Sequence, residues 1–292
     1  MSKVLYEKYI VDNDDTLLNY LRSKMENKSK NNIKSLLTKE KVTINGKLET
    51  RHDYPVYKND VIEIKNNFIT SKKYTDKIPI IYEDENIIVI DKPAGLLTMA
   101  TKKEKKHTAY RMISDYLTSQ DKNNKVFIIH RLDKDTSGVV IFAKSMEVKN
   151  KYQNAWSKNV LKREYIAVVE GVIKDEKKTI KSYLKENKEG IVYSSLKPND
   201  GKIAITCYEK IKNNLRYTML RINLKTGRKN QIRVHMKDIR HPIIGDKKYG
   251  VSGLDPVKRL CLHASKLELI DPLTNKKVEY VAETPFLLEA LL

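Results

Sequence analysis

Short apolar or alternating segments follow one another from Ile78 to the C-terminus of this chain, which has 292 residues. Runs of about four to eight such residues between turn residues are typical of β-strands. The predicted strands are IPIIYED (78–84), NIIVID (86–91), VFII (126–129), VVIFA (139–143), REYIAVVEGVI (163–173), ITCYEKI (205–211) and RYTMLRINL (216–224). Because regular strand–helix alternation is missing, we expect an α+β domain on a large mixed, mostly antiparallel sheet.

Three segments between these strands have the spacing of apolar residues that is typical of amphipathic helices. Residues 108–118 carry one such stripe. Residues 228–239 carry a second, which His241-Pro242 should end, because proline cannot continue a helix. Ser145 is placed to cap the third helix, whose stripe includes Val148.

Residues 12–66 have a different pattern and are predicted to form a small α/β unit. The expected elements are a helix capped by Asp15, a second helix at NNIKSLL (31–37), a hairpin around Asn45-Gly46 and a closing strand at DVIEI (60–64). The polar, basic stretch 67–77 has no periodicity and is the predicted linker. Residues 78–292 then form the second and larger domain.

The charge of the chain is strongly unbalanced, with 57 Lys and Arg residues against 37 Asp and Glu residues and a net charge of +20. Such an excess attracts a polyanion, and nucleic acid is the commonest one. A basic surface that only keeps the protein in solution is the alternative. Cys207 and Cys261 are not part of a CxxC pair, so neither a disulfide framework nor a cysteine zinc site is predicted.

Targeting signals are not visible in the sequence. The N-terminal segment lacks the apolar core of a signal peptide, and no apolar run is long enough to span a bilayer. We therefore expect a cytoplasmic protein without a membrane partner. The absence of a long heptad pattern and of an extended apolar patch favours a monomer.

The stretch HRLDKDTSG (130–138) places several charged residues directly before the apolar strand VVIFA. Asp133 should therefore lie at the end of a sheet, with little water around it. A carboxylate in such a place needs a cation or several hydrogen bonds to stay ionised. Arg131, Arg228 and Arg233 are the candidate cations, and a purely structural ion pair is the alternative.

Five blocks of sequence, in order along the chain, resemble the motifs of the RluA-type pseudouridine synthases. They are EDENIIVIDKPAGLL (83–97), HRLDKDTSG (130–138), KREYIAVVEG (162–171), TGRKNQIRVHM with HPIIGDKKYG (226–250), and RLCLHASKLELIDPLT (259–274). The resemblance covers nearly all of residues 80–275 and points to the branch whose RluC and RluD members modify large-subunit ribosomal RNA. It implies the pseudouridine synthase fold and the isomerisation of specific uridines in structured RNA, without a cofactor or a metal ion.

VTINGK and DVIEI in the N-terminal unit resemble the small RNA-binding domain first seen in ribosomal protein S-four. The resemblance implies that this unit contacts RNA. The side chains expected to make the contacts are Lys28, Lys30 and Lys34. SKNNIK stands where that domain often has a Ser-Arg pair.

The resemblance also assigns catalytic roles within the larger domain. It gives Asp133 the role of the carboxylate that acts on the sugar or on the uracil ring, and both targets stay open. Tyr165 matches an active-site tyrosine that stacks on uracil and helps to remove a proton. Arg233 matches the arginine that pairs with the catalytic carboxylate and keeps it charged.

A second group of residues is expected to bind the substrate. Arg131 matches a residue that fills the gap left when the target base leaves its stack. Thr136, Arg228 and His130 complete the group in the larger domain, with packing or a bond to the backbone as the alternative for His130. Asn230 stands where the family usually has histidine, so this position cannot titrate near neutral pH.

The expected substrate is ribosomal RNA of the large subunit. Two alternatives stay open: the same reaction on transfer RNA, and an RNA-binding or ribosome-assembly factor with an inactive site. The histidines lack convincing metal-ligand spacing, so no metal site is predicted. KPAG (92–95) lacks the glycine pattern of a phosphate loop and is expected to be a structural turn near the cleft.

Overall fold

The computed structural model of the chain describes residues 6–25, 30–38, 41–65, 74–75, 78–102, 104–250 and 257–292. The chain divides into two compact units, residues 1–70 and residues 71–292. The second unit confirms the predicted α+β class, because it combines a few helices with a large and mostly antiparallel sheet.

The first unit combines a small sheet with two helices. Its elements are β1 (Tyr6–Ile10), β2 (Asp15–Thr16), α1 (Leu17–Lys24), α2 (Lys30–Thr38), β3 (Val42–Ile44), β4 (Lys47–Leu48), β5 (Pro55–Val56) and β6 (Val61–Lys65). The sheet has the order β1-β6-β3-β4, and β2 pairs separately with β5. Leu21 of α1, Ile33 of α2 and Ile62 of β6 are fully buried in one shared core.

Two local predictions in this unit have different outcomes. Asn45 and Gly46 have φ angles of 50° and 78°, the left-handed backbone that a tight hairpin requires, so the predicted turn is confirmed. The predicted cap at Asp15 is wrong, because Thr16 holds the N-cap position of α1. Asp15 pairs instead with Val56, and its carboxylate accepts a bond of 2.6 Å from the Thr16 amide.

Strands β1 and β7 lie outside the ranges predicted for the two domains. β1 pairs along its whole length with β6, so the first unit begins before residue 12. β7 (Tyr74–Thr75) lies within the predicted linker 67–77 and pairs with the start of β8 (Ile78–Glu83). The other residues of that linker lie outside the described residues.

The second unit is built on one large sheet. After β7 and β8, its elements are β9 (Ile87–Lys92), α3 (Ala109–Gln120), β10 (Phe127–Ile128), β11 (Ser137–Ala143), α4 (Met146–Asn159), β12 (Val160–Glu170), β13 (Lys177–Glu186), β14 (Val192–Ser195), β15 (Lys202–Asn213), β16 (Tyr217–Leu224), α5 (Gln231–Asp238), β17 (Leu262–Ile270), β18 (Lys277–Val281) and α6 (Phe286–Glu289). The sheet follows the path β14-β13-β15-β16-β12-β17-β11-β9-β8-β7, with β10 beside β11 and β18 beside β17. Strands β11 and β17 run parallel, whereas β11 runs antiparallel to β9 and β12 runs antiparallel to both β16 and β17.

Strand β11 is buried at every residue. Val140 packs in one core with Ile113 of α3, whereas Val139 packs in another core with Val148 of α4. A strand that is covered on both faces needs apolar residues at every position, which explains why VVIFA does not alternate. The loop that ends at the start of β11 is thereby attached to a strand that is buried along its whole length.

The capped helices α3 and α4 confirm their predictions, whereas α5 is shorter than predicted. The Ser145 hydroxyl accepts a bond of 3.1 Å from the Val148 amide at the start of α4. Helix α5 begins at Gln231 because Asn230 has a left-handed backbone with a φ angle of 54°. Arg228 therefore lies in a loop before α5 and not on the helix.

Strands β13, β14, β17 and β18 were not predicted. The alternation of β13 is hidden by polar side chains at most positions of KKTIKSYLKE. β14 and β18 are only 4 and 5 residues long. Short or polar strands such as β13, β14 and β18 give a weak hydrophobic pattern. β17 (Leu262–Ile270) is longer than β14 and β18 and mostly buried, and it was missed although its second half alternates.

Candidate active site

A cavity of about 400 Å³ opens between the loop before β11, strand β12 and the segment that joins β16 to α5. Its volume lies in the range of about 300–1,000 Å³ that is usual for small-molecule sites. It is lined by residues from four predicted blocks, among them the three expected catalytic residues and four expected substrate-binding residues: Asp133, Tyr165, Arg233, His130, Arg131, Thr136 and Arg228. These residues are far apart in the sequence, and the fold brings them to one place.

Asp133 lies in the loop just before β11, and this loop is closed by a bond of 3.3 Å from the Thr136 amide to the Asp133 carbonyl. The Asp133 side chain is 26% exposed, and its Oδ2 atom lies 3.9 Å from Nη1 of Arg233. That distance is longer than a hydrogen bond, so the guanidinium attracts the carboxylate without binding it directly. Burial raises the pKa of Asp133 above its ordinary value, although Arg233 and Arg131 act against this shift.

The nearest carboxylate to Arg233 is Asp246, which sequence reasoning did not identify as a site residue. Nε of Arg233 donates to Oδ2 of Asp246 at 2.8 Å, and Nη2 donates to Oδ1 at 2.6 Å. The Asp246 side chain is fully buried and also accepts from the amides of Lys248 and Tyr249. Burial acts to raise the pKa of Asp246, but the bonds to Arg233 and to the two amides leave it below its ordinary value.

This pair adds a partner that was not expected. Arg233 was expected to pair with Asp133 and lies within ion-pair distance of it through its third nitrogen, but its two-bond contact is with Asp246. A guanidinium has a fixed fork geometry, so the bond to Asp246 fixes its plane and its distance from Asp133. The block HPIIGDKKYG contains Asp246, and this was the signal available in the sequence.

Tyr165 projects from β12, where it pairs with Ile222 of β16. The ring is half-buried and packs against two hydrophobic cores, one with Ile222 and the other with Ile113. Burial raises the pKa of Tyr165 to about 12; the Arg163 charge opposes this shift, and the Asp133 charge adds to it. The hydroxyl therefore keeps its proton at neutral pH, and the ring lines the cavity as a fixed flat surface.

His130 lines the cavity but also has a structural task. Its Nε2 atom accepts a bond of 3.1 Å from the Ile141 amide, and its ring lies 4.7 Å from that of Trp156. Burial and the nearby Arg163 charge lower the pKa of His130 to about 3. The ring is therefore neutral at ordinary pH, and the alternative of a bond to the backbone describes this residue.

Lys92 is the second site-forming residue that sequence reasoning missed. It is fully buried at the end of β9, and its Nζ atom donates to the carbonyls of Pro93 at 2.9 Å, Leu96 at 2.7 Å and Lys134 at 3.0 Å. The last bond ties the KPAG turn to the loop that carries Asp133. Burial lowers the pKa of Lys92 to about 7, although Asp135 and Asp133 act against this shift.

Gly138 explains how β11 approaches β17 so closely. Its φ angle is 115°, and a Cβ atom at this position would lie 2.2 Å from the carbonyl oxygen of Ala264. Only glycine fits such a backbone position. Ser137 beside it accepts a bond of 2.8 Å from Arg259 and lies 2.9 Å from Nδ1 of His263. Arg259 and His263, both in the block RLCLHASKLELIDPLT, thus contact Ser137 at the start of β11.

Asn230 lines the cavity and holds the loop before α5 in place. Its left-handed backbone is one that asparagine tolerates better than most residues. The side-chain amide donates to the Tyr249 hydroxyl at 3.0 Å. Asn230, which stands where the family usually has histidine, therefore makes a hydrogen bond within the protein.

The lysines expected to bind RNA belong to the first unit. Lys30 is exposed and Lys34 is half-buried, both on helix α2, whereas Lys28 lies outside the described residues. In the described part of the chain, no group of three or more His, Cys, Asp or Glu side chains is placed to hold a metal ion. No helix of that part is long and apolar enough to cross a membrane.

Comparison with known proteins gives a consistent picture. A family model described as RNA pseudouridylate synthase matches residues 86–238. A ribosomal large subunit pseudouridine synthase D of Borreliella burgdorferi is 32% identical over 297 residues, which cover 98% of this chain and 91% of the relative. A tRNA pseudouridine synthase C of Haemophilus ducreyi is 34% identical over 221 residues, which cover 69% of this chain and 89% of the relative. The solved structure of human RNA pseudouridylate synthase domain containing 4 shares the fold, with a TM-score of 0.59 and 22% identity over 72% of this chain and 90% of its own.

Proposed function

The chain belongs to the RNA pseudouridylate synthase family, and from this premise we propose that Asp133 is its catalytic carboxylate and that large-subunit ribosomal RNA is its substrate. The protein is an isomerase that converts uridine in RNA into pseudouridine. The reaction breaks the N-glycosidic bond, turns the uracil and rejoins it through carbon 5. The observation that supports the role of Asp133 is its position in a cavity with Tyr165 and with Arg233 at 3.9 Å.

The surroundings of Asp133 suit a carboxylate that must react. A carboxylate with two direct bonds to a guanidinium is a weak nucleophile, because its charge is neutralised. Arg233 makes its two direct bonds to Asp246 instead, so the oxygens of Asp133 are free to meet the substrate. The raised pKa of Asp133 makes the ionised form more basic, which helps an attack on either the sugar or the uracil ring.

Tyr165 and Arg131 have complementary proposed tasks. The half-buried ring of Tyr165 offers a stacking surface for uracil, and its protonated hydroxyl is available for proton exchange at carbon 5. A uridine in folded RNA reaches the cavity only after it leaves its stack, which costs a few kcal/mol. Arg131 is exposed at the cavity mouth, where its side chain is placed to fill the gap in the RNA.

Ribosomal RNA is favoured over transfer RNA as the substrate. The relative that covers nearly the whole chain is named for the large ribosomal subunit, and the first unit adds a sheet and helices with basic side chains to the catalytic unit. The second candidate is transfer RNA, because one relative is named for it. We also propose that the enzyme works as a cytoplasmic monomer, and sedimentation over a range of protein concentrations tests the oligomeric state.

Two experiments test this function. Pseudouridine mapping of total RNA, with and without the gene, should show one or more sites in large-subunit RNA that are lost with the gene. Loss of sites in transfer RNA alone would replace the substrate assignment.

A tritium-release assay on RNA with uridine labelled at carbon 5 should show release by the wild type and none by Asp133→Asn, which still binds the RNA. Binding without release by the wild type would make the protein an inactive RNA-binding factor.

A further inference from the structure

Besides the exposed Arg131, two arginines that line the cavity make no ion pair with a carboxylate in the described part of the chain. They are Arg163 on β12 and Arg228 in the loop before α5. Nη2 of Arg163 donates to the carbonyl of Leu224 at 3.3 Å, and Nε of Arg228 donates to the carbonyl of Ile203 at 3.0 Å. Each guanidinium is thus oriented by one backbone carbonyl, and its remaining N–H groups have no hydrogen-bond partner among the described residues.

The other buried or paired cations of the cavity differ from these two. Arg233 is bound to Asp246, and Lys229 is bound to Glu186. Burial lowers the pKa of Arg163, with Tyr165 opposing the shift and the positive charge of Arg228 adding to it. An arginine stays charged in a protein, so Arg163 and Arg228 are like charges that face one half-enclosed space. Arg163 is half-buried, and a charge withdrawn from water without a counter-ion is costly, which favours an anionic ligand here.

Gly227 is what allows the two guanidinium groups to share this space. A Cβ atom at position 227 would lie 2.5 Å from Nη1 of Arg163, a distance that real Cβ contacts do not reach. Arg163 therefore passes directly over the backbone of the loop, one residue before Arg228. Any larger residue at position 227 would displace the Arg163 guanidinium without changing the charge of the cavity.

We propose that Arg163 and Arg228 together bind one phosphate of the RNA backbone next to the uridine that enters the cavity, an inference that rests on the proposed function. Guanidinium groups match the oxygens of a phosphate in geometry and charge. A phosphate contact fixes the position of a nucleotide but carries no sequence information. If this pair binds the phosphate, Arg233 does not have to, and it stays bound to Asp246 and close to Asp133.

The test uses the whole protein and an RNA hairpin that carries the uridine identified by pseudouridine mapping. Arg163→Gln and Arg228→Gln should each raise the KM for this hairpin about 10-fold to 100-fold, the loss expected for a charged hydrogen bond. At saturating RNA, kcat should stay within about threefold, because the contact is made equally in the ground state and the transition state. In the double variant, the slope of log affinity against log salt should fall by about 0.7–0.9, the value for one phosphate.

Two further variants separate a phosphate site from a general effect of charge or folding. Lys225→Gln removes the same charge from an exposed position in the same loop and should change KM less than about twofold, as for surface changes. Gly227→Ala keeps the net charge and should still raise KM, because it displaces Arg163. Thermal melting of each variant should match the wild type within a few degrees.

A neutral methylphosphonate, placed in turn at each linkage beside the target uridine, identifies the phosphate. One position should weaken binding to the wild type and cause no further loss with the double variant, since coupled sites are not additive. Equal losses with both proteins at every position, or an unchanged salt slope, would overturn the inference while tritium release by the wild type still supports the proposed function. A wild type that releases no tritium from any RNA would overturn both.

Discussion

Replacing Asp246 with asparagine changes the charge near Arg233 and leaves the shape of the side chain almost intact. Oδ1 of Asp246 accepts from Nη2 of Arg233 and from the amides of Lys248 and Tyr249, and Oδ2 accepts from Nε of Arg233. Asparagine keeps the first oxygen and puts an NH₂ group in place of the second, so that two donors face each other. Breaking a buried ion pair on one side costs about 3–5 kcal/mol.

Because asparagine keeps most of the hydrogen bonds, we expect Asp246→Asn to lower the free energy of unfolding by about 3 kcal/mol, the lower end of that range. For a folded unit of this size, this corresponds to a fall in the melting temperature of about 6–12 °C. The matched control is Asp238→Asn at the end of α5, the helix that carries Arg233; the exposed carboxylate of Asp238 accepts a bond from Ser194. A change at this exposed position should cost less than about 0.5 kcal/mol.

The same change has a second effect that a structural role alone does not explain. Removing the negative charge of Asp246 leaves Asp133 as the only carboxylate near Arg233 among the described residues. The positive potential at Asp133 then rises, which lowers its pKa and moves the acid limb of the kcat/KM profile to lower pH. Loss of the fixed orientation of Arg233 should also reduce kcat by about 100-fold.

The assay is tritium release from hairpin RNA labelled at carbon 5 of uridine, measured across the acidic range where the variant stays folded. An acid limb that stays in place, with a lowered melting temperature, would show that Asp246 only supports the fold. An acid limb that moves to higher pH would contradict the electrostatic reasoning outright, since it requires a more negative potential at Asp133.

Three other changes have definite expected results. In the wild type, the free energy of unfolding should rise with pH above about 7, with a slope of up to about 1.4 kcal/mol per pH unit. The reason is that the unfolded chain keeps the Lys92 proton at pH values where the folded chain has lost it. Lys92→Met should remove this rise in a urea series at stepped pH, and an unchanged pH dependence would mean that Lys92 stays charged when buried. Tyr165→Phe should bind hairpin RNA normally but lose about 10²–10⁴-fold in kcat if the hydroxyl exchanges a proton, whereas equal loss of binding would limit Tyr165 to stacking. Gly138→Ala should lower the free energy of unfolding by more than about 3 kcal/mol, because the new Cβ atom would meet the Ala264 carbonyl oxygen at 2.2 Å. The control Gly95→Ala has nothing within 4 Å of the new Cβ atom and should cost about 1 kcal/mol from the positive φ angle alone. Thermal or urea unfolding measures both.

Residues with a strong hydrophobic pattern were predictable from the sequence. VVIFA became β11 because both faces of the strand are covered, and the stripes at Ile113 and Val148 became the buried faces of α3 and α4. The start of α5 was not predictable in this way. It depends on the left-handed backbone of Asn230, a local conformation that leaves the apolar period of residues 228–239 unchanged.

The residues of the site likewise divide into those that the sequence predicted and those that it did not. The chain positions of Asp133, Tyr165 and Arg233 were predicted from sequence blocks, and all three line one cavity; their catalytic roles stay proposals. Asp246 and Lys92 were missed because their importance comes from burial. Asp246 lies in a polar turn, and Lys92 lies between Asp91 and Pro93, so neither shows in the sequence that its side chain is fully enclosed.

Three arginines of the cavity, Arg233, Arg163 and Arg228, divide into two groups by their partners, and each group predicts a different kinetic effect. Arg233 is bound to one carboxylate and lies near another, so a change in its surroundings should appear in kcat and in the pH profile. Arg163 and Arg228 have only backbone carbonyls as partners in the described part of the chain, so their loss should appear in KM and in the salt dependence. If one continuous positive field did both tasks, each variant would change all four quantities together. Measuring Asp246→Asn and Arg163→Gln side by side therefore tests whether this enzyme separates holding the RNA from holding the reacting carboxylate.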